Sequence, residues 1–408
     1  MSTHKRESSD CYMSEKYTIK NYDVLIVMDH YLPGRLAGGP VTTISNMTRL
    51  LTDHIRCLVV TRNYDLDGGI YSSIEPGKPY SINGATVVYL EKKQFNASTF
   101  RQLAVKYGVR HVYLNSFFSP TTILLLLAHQ VSKLPARLVV APRGEFSRGA
   151  LALKSRKKAL YLAFFQRLRL WKNIDVFQAS TVLEQEDIRR VLGPVPVKVA
   201  ADVPAPVNAP SVLGWVPASR LVFIGRISPM KNLDYAISAL ATLTEPVQLD
   251  IYGPLEDQTH WKQCLSRIAT CPAHVKIRYC GVLEHDQVGP TFAQYDAFLF
   301  PTRGENYGHV IHESLAAGCP VIVSDQTPWQ ELQVYGVGWV LPLDHPQGFT
   351  EAIRQTLHQA PQEAQARRQR CIDYAIQIST NPEVLADNLA LFPKLSLASP
   401  AVTESTST

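Results

Sequence analysis

Residues 298–332 read FLFPTRGENYGHVIHESLAAGCPVIVSDQTPWQEL. The apolar run Phe298, Leu299, Phe300 ends at Pro301 and reads as a buried strand. A loop with Gly304 follows, and a helix is expected from about Asn306 to about Ala317. Gly318 is placed to end that helix, and Pro320 comes two residues later. Residues 321–323 then open another strand. Strand, loop, helix, strand is one unit of an open parallel sheet, and ligands of such sheets sit beyond the carboxyl ends of the strands.

Two carboxylates in this stretch, Glu305 and Glu313, stand seven intervening residues apart. One lies in the loop and one on the helix, which separates their backbones by roughly 12 Å at the helical rise. That is about the length of a nucleotide sugar, so the pair suits a sugar hydroxyl at one end and a ribose hydroxyl at the other. Backbone N–H groups between Asn306 and His309, aided by the helix dipole, form an anion site for a diphosphate between them. An acidic first turn with one surface Glu is the plainer explanation of two such residues taken alone.

Their surroundings decide otherwise. The segment PTRGENYGHVIHESLAAGCPVIVSD (301–325) resembles the retaining glycosyltransferases of family four, whose α/β fold, GT-B, sets two Rossmann-like domains across a cleft. The resemblance runs from about residue 23 to about residue 391 and is more specific in the C-terminal half. It implies an acceptor-binding first domain over residues 21–197, a linker over 198–215, and a nucleotide-sugar-binding second domain over 216–375. Residues 376–393 would cross back to the first domain. The tails 1–20 and 394–408 are polar or Ser/Thr-rich and are expected to be disordered.

The same resemblance distributes roles. Glu313 would hold the ribose and Glu305 a hydroxyl of the donor sugar. Gly225 and Arg226 end the strand LVFIGR, and Lys231 follows before a helix. Arg226 and Lys231 would neutralise the departing diphosphate, the charge stabilisation such a transfer needs. Asn306, Gly308 and His309 would offer backbone N–H groups, and the base would rest near Val282. Gly38 and Gly39, after the first strand, let backbone approach donor phosphate or acceptor, or simply make a tight turn. Arg143, Gly144 and Glu145 (in APRGEFSRGAL) lie where a strand meets its next helix and so face the crevice. Many relatives carry His-Gly there; this chain has Arg143-Gly144, which sets aside a His-based role. Glu145 would orient the acceptor hydroxyl, or else pair with Arg143 or Arg148. The implied reaction retains configuration, uses no metal or other cofactor, and draws on a UDP or GDP sugar. Without an obvious nucleophile, a front-face route assisted by the leaving phosphate is expected. The loops point to a capsule, exopolysaccharide or lipopolysaccharide pathway. Two alternatives stand beside this: a nucleotide-sugar-binding scaffold without turnover, and an epimerase of the same fold.

Composition bounds the rest. A chain of 408 residues with 46% hydrophobic content fits two globular domains. Seven cysteines without CxxC spacing suggest reduced thiols in a cytosolic compartment. No secretory signal is visible and no apolar run is long enough to span a bilayer. Residues 1–200 hold 28 Lys+Arg against 15 Asp+Glu, whereas residues 201–408 hold 13 against 20. That polarity implies an anionic partner on the first half. Residues 154–173 read as an amphipathic helix in which Leu160, Phe164, Leu168 and Trp171 form a stripe flanked by seven cations. Such a helix either docks on an anionic inner leaflet, where a lipid-linked glycan acceptor sits, or packs its stripe on the core. No nucleic-acid module is recognised. A metal reading of His309 and His312 is set aside, since the fold implies no catalytic metal.

Overall fold

The computed structural model describes residues 21–34, 38–152, 155–207 and 215–393. Both expected disordered tails, and residues 208–214 of the linker, lie outside them. Among the described residues the first sheet has eight strands: β1 (Val24–Val27), β2 (Cys57–Arg62), β3 (Pro79–Ile82), β4 (Ala85–Leu90), β5 (His111–Asn115), β6 (Arg137–Ala141), β7 (Val176–Ala179) and β8 (Val197–Val199), in the order β3-β4-β2-β1-β5-β6-β7-β8. The second has six: β9 (Arg220–Ile224), β10 (Val247–Tyr252), β11 (Val275–Tyr279), β12 (Ala297–Phe300), β13 (Val321–Ser324) and β14 (Gly338–Leu341), in the order β11-β10-β9-β12-β13-β14. Every pairing is parallel except β3 with β4.

Buried apolar runs explain the parallel sheets. Val24, Leu25 and Ile26 of β1 and all four residues of β12 are fully buried, because helices cover both sheet faces. In each sheet the order of strand addition reverses once, between β1 and β5 and between β9 and β12. Loops leaving β1, β9 and β12 at their carboxyl ends therefore splay apart into a crevice. Gly38 and Gly39, Gly225 to Lys231, and Glu305 to Glu313 follow these three strands, while Arg143 to Glu145 and Val282 follow β6 and β11.

Several boundaries differ from expectation for identifiable reasons. β3 forms a hairpin with β4 across Asn83 and Gly84, whose φ values are 45° and 79°. Asn-Gly is the dipeptide that makes this turn. The helix of the 298–332 stretch starts at His309, not Asn306, because Gly308 (φ 83°) turns the chain at its cap. Gly318 (φ 73°) ends it, with the Cys319 N–H donating to the Ser314 carbonyl. The basic helix runs over Ser155–Arg167 and stops short of 173, since Arg169 takes a left-handed conformation (φ 52°) before the short turn Leu170–Asn173.

The helix Pro361–Ser379 stays with the second domain, where Arg368 donates to the Tyr295 and Ala293 carbonyls. It is the following helix, Pro382–Ala390, that lies on the first domain. Asn388 donates to the Ala201 carbonyl at 3.0 Å, and Leu391 and Phe392 join the first-domain core beside Tyr113. No helix among the described residues is long and apolar enough to cross a membrane.

Candidate functional site

On the second-domain side, three loops are stitched together at the carboxyl ends of β9, β12 and β13. Asn232 donates to the Pro301 carbonyl at 2.8 Å and accepts from Arg303 at 3.0 Å. Ser324 donates to the Thr302 carbonyl, and the Glu305 N–H donates to the Gln326 carbonyl at 3.1 Å. These bonds bring Lys231 onto Glu305: the ammonium donates to the carboxylate, and the two side chains are only 14% and 11% exposed. A cation and a carboxylate 74 residues apart in sequence are thus one unit at the mouth of the helix.

The helix His309–Ala316 opens toward that unit. Among the described residues its His309 and Val310 N–H groups have no helical acceptor, whereas Ile311 and His312 donate to the Gly308 carbonyl at 2.8 and 3.4 Å, and the positive dipole end lies at this terminus. Gly308 is required here, since a Cβ would meet Ile311 at 3.0 Å and Trp329 at 3.4 Å. Trp329 braces the cap by donating to the Tyr307 carbonyl at 2.6 Å. One turn further, Glu313 is half-buried, and its carboxylate has no hydrogen bond or ion pair among the described residues. Burial raises its pKa, opposed by His285. A half-buried, unpartnered carboxylate beside a helix terminus suits a ligand hydroxyl.

Arg226 is placed differently. Its guanidinium is half-exposed and pairs with Glu256 at 2.7 Å, so it must exchange partners to reach a diphosphate. Gly225 lies under it, and Gly253 fits against Gly225 only because it lacks a side chain: a Cβ there would stand 2.0 Å from the Gly225 carbonyl oxygen. Val282 is 63% exposed at the end of β11, on a loop whose Gly281 carbonyl accepts from the Gly253 N–H.

From the first domain, Gly38 (φ 61°, ψ −133°) and Gly39 begin the helix Gly39–Leu51, and added Cβ atoms at either would meet nothing within 4 Å. The loop after β6 also approaches the other domain. Gly144 has φ 74°, and a Cβ on it would stand 3.1 Å from Asn306. We expect Gly144→Ala to destabilise the protein by about 1–2 kcal/mol through the left-handed backbone and to wedge the domains apart, read by thermal melting beside small-angle X-ray scattering. An unchanged melting temperature would contradict the strain.

Two first-domain candidates are corrected. Arg143 does not present its charge to an acceptor. Its side chain is 8% exposed and is engaged by Asp202, by Asn115 at 2.9 Å and by Tyr113 at 2.5 Å. Burial works against its charge, but Asp202, Tyr113 and Glu184 raise its pKa overall. Glu145 does not pair with Arg143. It accepts from the Ser116 hydroxyl at 2.7 Å and from the Phe117 and Phe118 N–H groups at 2.6 and 3.1 Å. Both oxygens are committed to shaping the loop before the helix Pro120–Val131, and burial raises the pKa despite those bonds. Its isolation among cations reflects a buried local clamp.

Sequence reasoning missed four residues. Asp202 and Thr43 link the domains, as shown below. Tyr113 supports Arg143. Glu184 accepts from the Gly144 N–H at 2.6 Å and from Ser180, so it positions the Arg143-Gly144 loop. One signal was available: Asp202 is the sole acid between Gly193 and Trp215.

Two Rossmann-like domains with facing loops at their switch points define the GT-B fold. Residues 217–378 match the family model for glycosyl transferases group 1, so the second domain carries that family's signature. The chain is 26% identical over 261 residues to the GDP-mannose-dependent alpha-(1-6)-phosphatidylinositol dimannoside mannosyltransferase of Mycobacterium tuberculosis, covering 62% of this chain and 66% of that one. It spans about a third of the length of the first curated relatives it matches. In structure it is similar to sucrose-phosphate synthase from Thermosynechococcus elongatus, with a TM-score of 0.69 at 14% identity, covering 91% of this chain and 98% of that one. Anabaena HepE in complex with UDP-glucose superposes with a TM-score of 0.66 at 18% identity over the same shares.

Proposed function

We propose that this protein is a glycosyltransferase that moves a hexose from a UDP or GDP sugar to a hydroxyl of a glycan or lipid-linked glycan. The observation that carries the reading is the Lys231–Glu305 pair at the open N-terminus of the helix His309–Ala316, with the unpartnered Glu313 one turn along. An anion site, a cation for the leaving group and two carboxylates for hydroxyls are what a nucleotide-sugar donor needs. The relatives named above use GDP-mannose or bind UDP-glucose, which supports a donor of this class.

In this reading Glu313 holds the ribose, Glu305 orients the donor sugar, and Lys231 and the helix N–H groups stabilise the diphosphate. Arg226 joins them after leaving Glu256. Transfer proceeds with retention by a front-face route in which the leaving phosphate receives the acceptor proton, and chelator leaves the rate unchanged. The setting is cytoplasmic surface-polysaccharide synthesis at the inner membrane face. Calorimetry with UDP and GDP on wild type and Glu313→Ala tests the donor site. Binding of one nucleotide, weakened about 10- to 100-fold in the variant, is the expected result for a lost charge-assisted hydrogen bond. A folded protein that binds neither nucleotide would refute the reading.

The membrane part rests on the helix Ser155–Arg167. Leu160 is 75% exposed, and Phe164 and Leu168 are 44% and 41% exposed, so these three side chains of the stripe do not pack on the core, whereas Trp171 does. Phe165 takes that place, fully buried against Phe117. Exposed apolar side chains among exposed cations match an anionic bilayer surface. Leu160→Glu with Phe164→Glu should lower binding to phosphatidylglycerol-containing vesicles more than tenfold, given about 1.5–3 kcal/mol per buried apolar side chain. Equal sedimentation of variant and wild type with vesicles would remove the membrane from the proposal.

A further inference from the structure

A polar relay crosses the cleft at the donor helix. Thr43, on the first-domain helix Gly39–Leu51, is 2% exposed. Its hydroxyl donates to Asp202 Oδ2 at 3.2 Å, and the same oxygen lies 2.7 Å from Nε2 of His309. His309 is the first residue of the second-domain helix His309–Ala316. Asp202 is 4% exposed in the connection between the domains, and its other oxygen takes the Arg143 guanidinium. Arg143 is held in turn by Tyr113, and Tyr113 donates to Gln178, which donates to the Ala200 carbonyl at 2.9 Å. Asn46, one turn along from Thr43, donates to the Val203 carbonyl at 3.0 Å.

Proton counting orders this chain. A hydroxyl carries one hydrogen. Thr43 gives its hydrogen to the Asp202 carboxylate, so its oxygen must accept from His309, and Nε2 of His309 carries a hydrogen. Burial pushes the His309 imidazole down to about 4, against the pull of Asp202, so the ring is neutral with its lone pair on Nδ1. Every link then points one way: His309 to Thr43, Thr43 to Asp202, with Arg143 closing the charge.

We propose that Thr43 and Asp202 are positioning residues that latch the amino end of the donor helix to the first domain and so set cleft closure for transfer. Neither touches the reacting groups. The Arg143–Asp202 pair is a fixed anchor, because both side chains are buried and belong to the first domain or the connection. The Thr43–His309 bond is the separable part, because it alone in the relay joins the two sheets' domains. Its placement matters because His309 is the first residue of the helix whose amino end carries the proposed diphosphate site. A buried hydroxyl with two partners holds that distance far more tightly than apolar contact at the same point would. This inference rests on the glycosyltransferase reading only for its effect on rate; the latch itself does not.

The test combines small-angle X-ray scattering with donor kinetics on wild type, Thr43→Val, Thr43→Ser and Asp202→Asn. Valine keeps the shape of threonine and removes the hydroxyl, whereas serine keeps the hydroxyl. Thr43→Val and Asp202→Asn should show a larger radius of gyration with saturating UDP and a kcat about tenfold lower. UDP affinity, read by calorimetry, should stay within about threefold, because the nucleotide contacts lie on the second domain. Thr43→Ser should restore both compaction and rate. Histidine-ring nitrogen NMR of wild type should report the Nε2–H form. Wild-type compaction and wild-type kcat in Thr43→Val would overturn the latch, and an Nδ1–H ring would overturn the direction of the relay. If no donor supports turnover, the functional reading fails, and scattering still decides the latch. Should Asp202→Asn not fold, the two Thr43 variants carry the comparison.

Discussion

Lys231→Ala should lower kcat by about 100- to 1000-fold with a smaller change in KM, as expected when a fixed cation that meets developing charge is removed. The reason is local. Lys231 is 14% exposed, held over the Phe300 ring at 5.4 Å and against Glu305, so its charge acts in a site with little water to screen it. In the resting site Glu305 satisfies the ammonium. When a diphosphate departs, the same ammonium can face it without crossing solvent. Lys231→Arg keeps the charge but not the point geometry, and we expect only partial recovery. Steady-state kinetics with the donor identified by calorimetry measures both. A kcat for Lys231→Ala within tenfold of wild type would mean that the leaving group is stabilised elsewhere, with Arg226 the next candidate. Lowering the pH should weaken the nucleotide as well. Burial raises the Glu313 pKa, so the carboxylate that would accept ribose hydroxyls is lost as pH falls through that raised value. Affinity should therefore decline on acidification through that raised pKa, and Glu313→Gln should flatten that dependence.

The second large effect is on folding. Arg143→Leu should destabilise the protein by about 3–5 kcal/mol, the usual consequence of removing one partner of a buried ion pair. Asp202 would be left 4% exposed without its guanidinium, and Asn115 and Tyr113 would each lose a donor. Leucine would also have to adopt φ 56° at this position. Chemical denaturation followed by near-ultraviolet circular dichroism reads the loss. A second substitution, Asp202→Leu, should recover part of it, because two apolar side chains leave no orphaned charge. A strictly additive double variant would show that the pair is not coupled.

The sequence by itself determined the two-domain α/β architecture and the strand–loop–helix unit that carries Glu305 and Glu313. Those features are written locally. A buried parallel strand is an uninterrupted apolar run, a helix cap is a glycine at a defined offset, and Glu305, the helix start and Glu313 lie within one continuous unit. Spacing along the chain is there nearly spacing in space. The tertiary structure decided what depends on residues far apart in the chain. That Lys231 rests on Glu305 follows from β9 lying beside β12 in the sheet. Whether the Leu160, Phe164 and Leu168 stripe faces the core or solvent could not be read from periodicity, because Phe165 and Tyr161 offer the same helix a second apolar face. Arg143 and Glu145 stood out as charges at a strand end, but a carboxylate 59 residues away neutralises the first, and backbone N–H groups 27 and 28 residues away occupy the second. Thr43 and Asp202 carried no local signal of their joint role, since a hydrogen bond between residues 159 apart exists only once both domains and their connection are folded together.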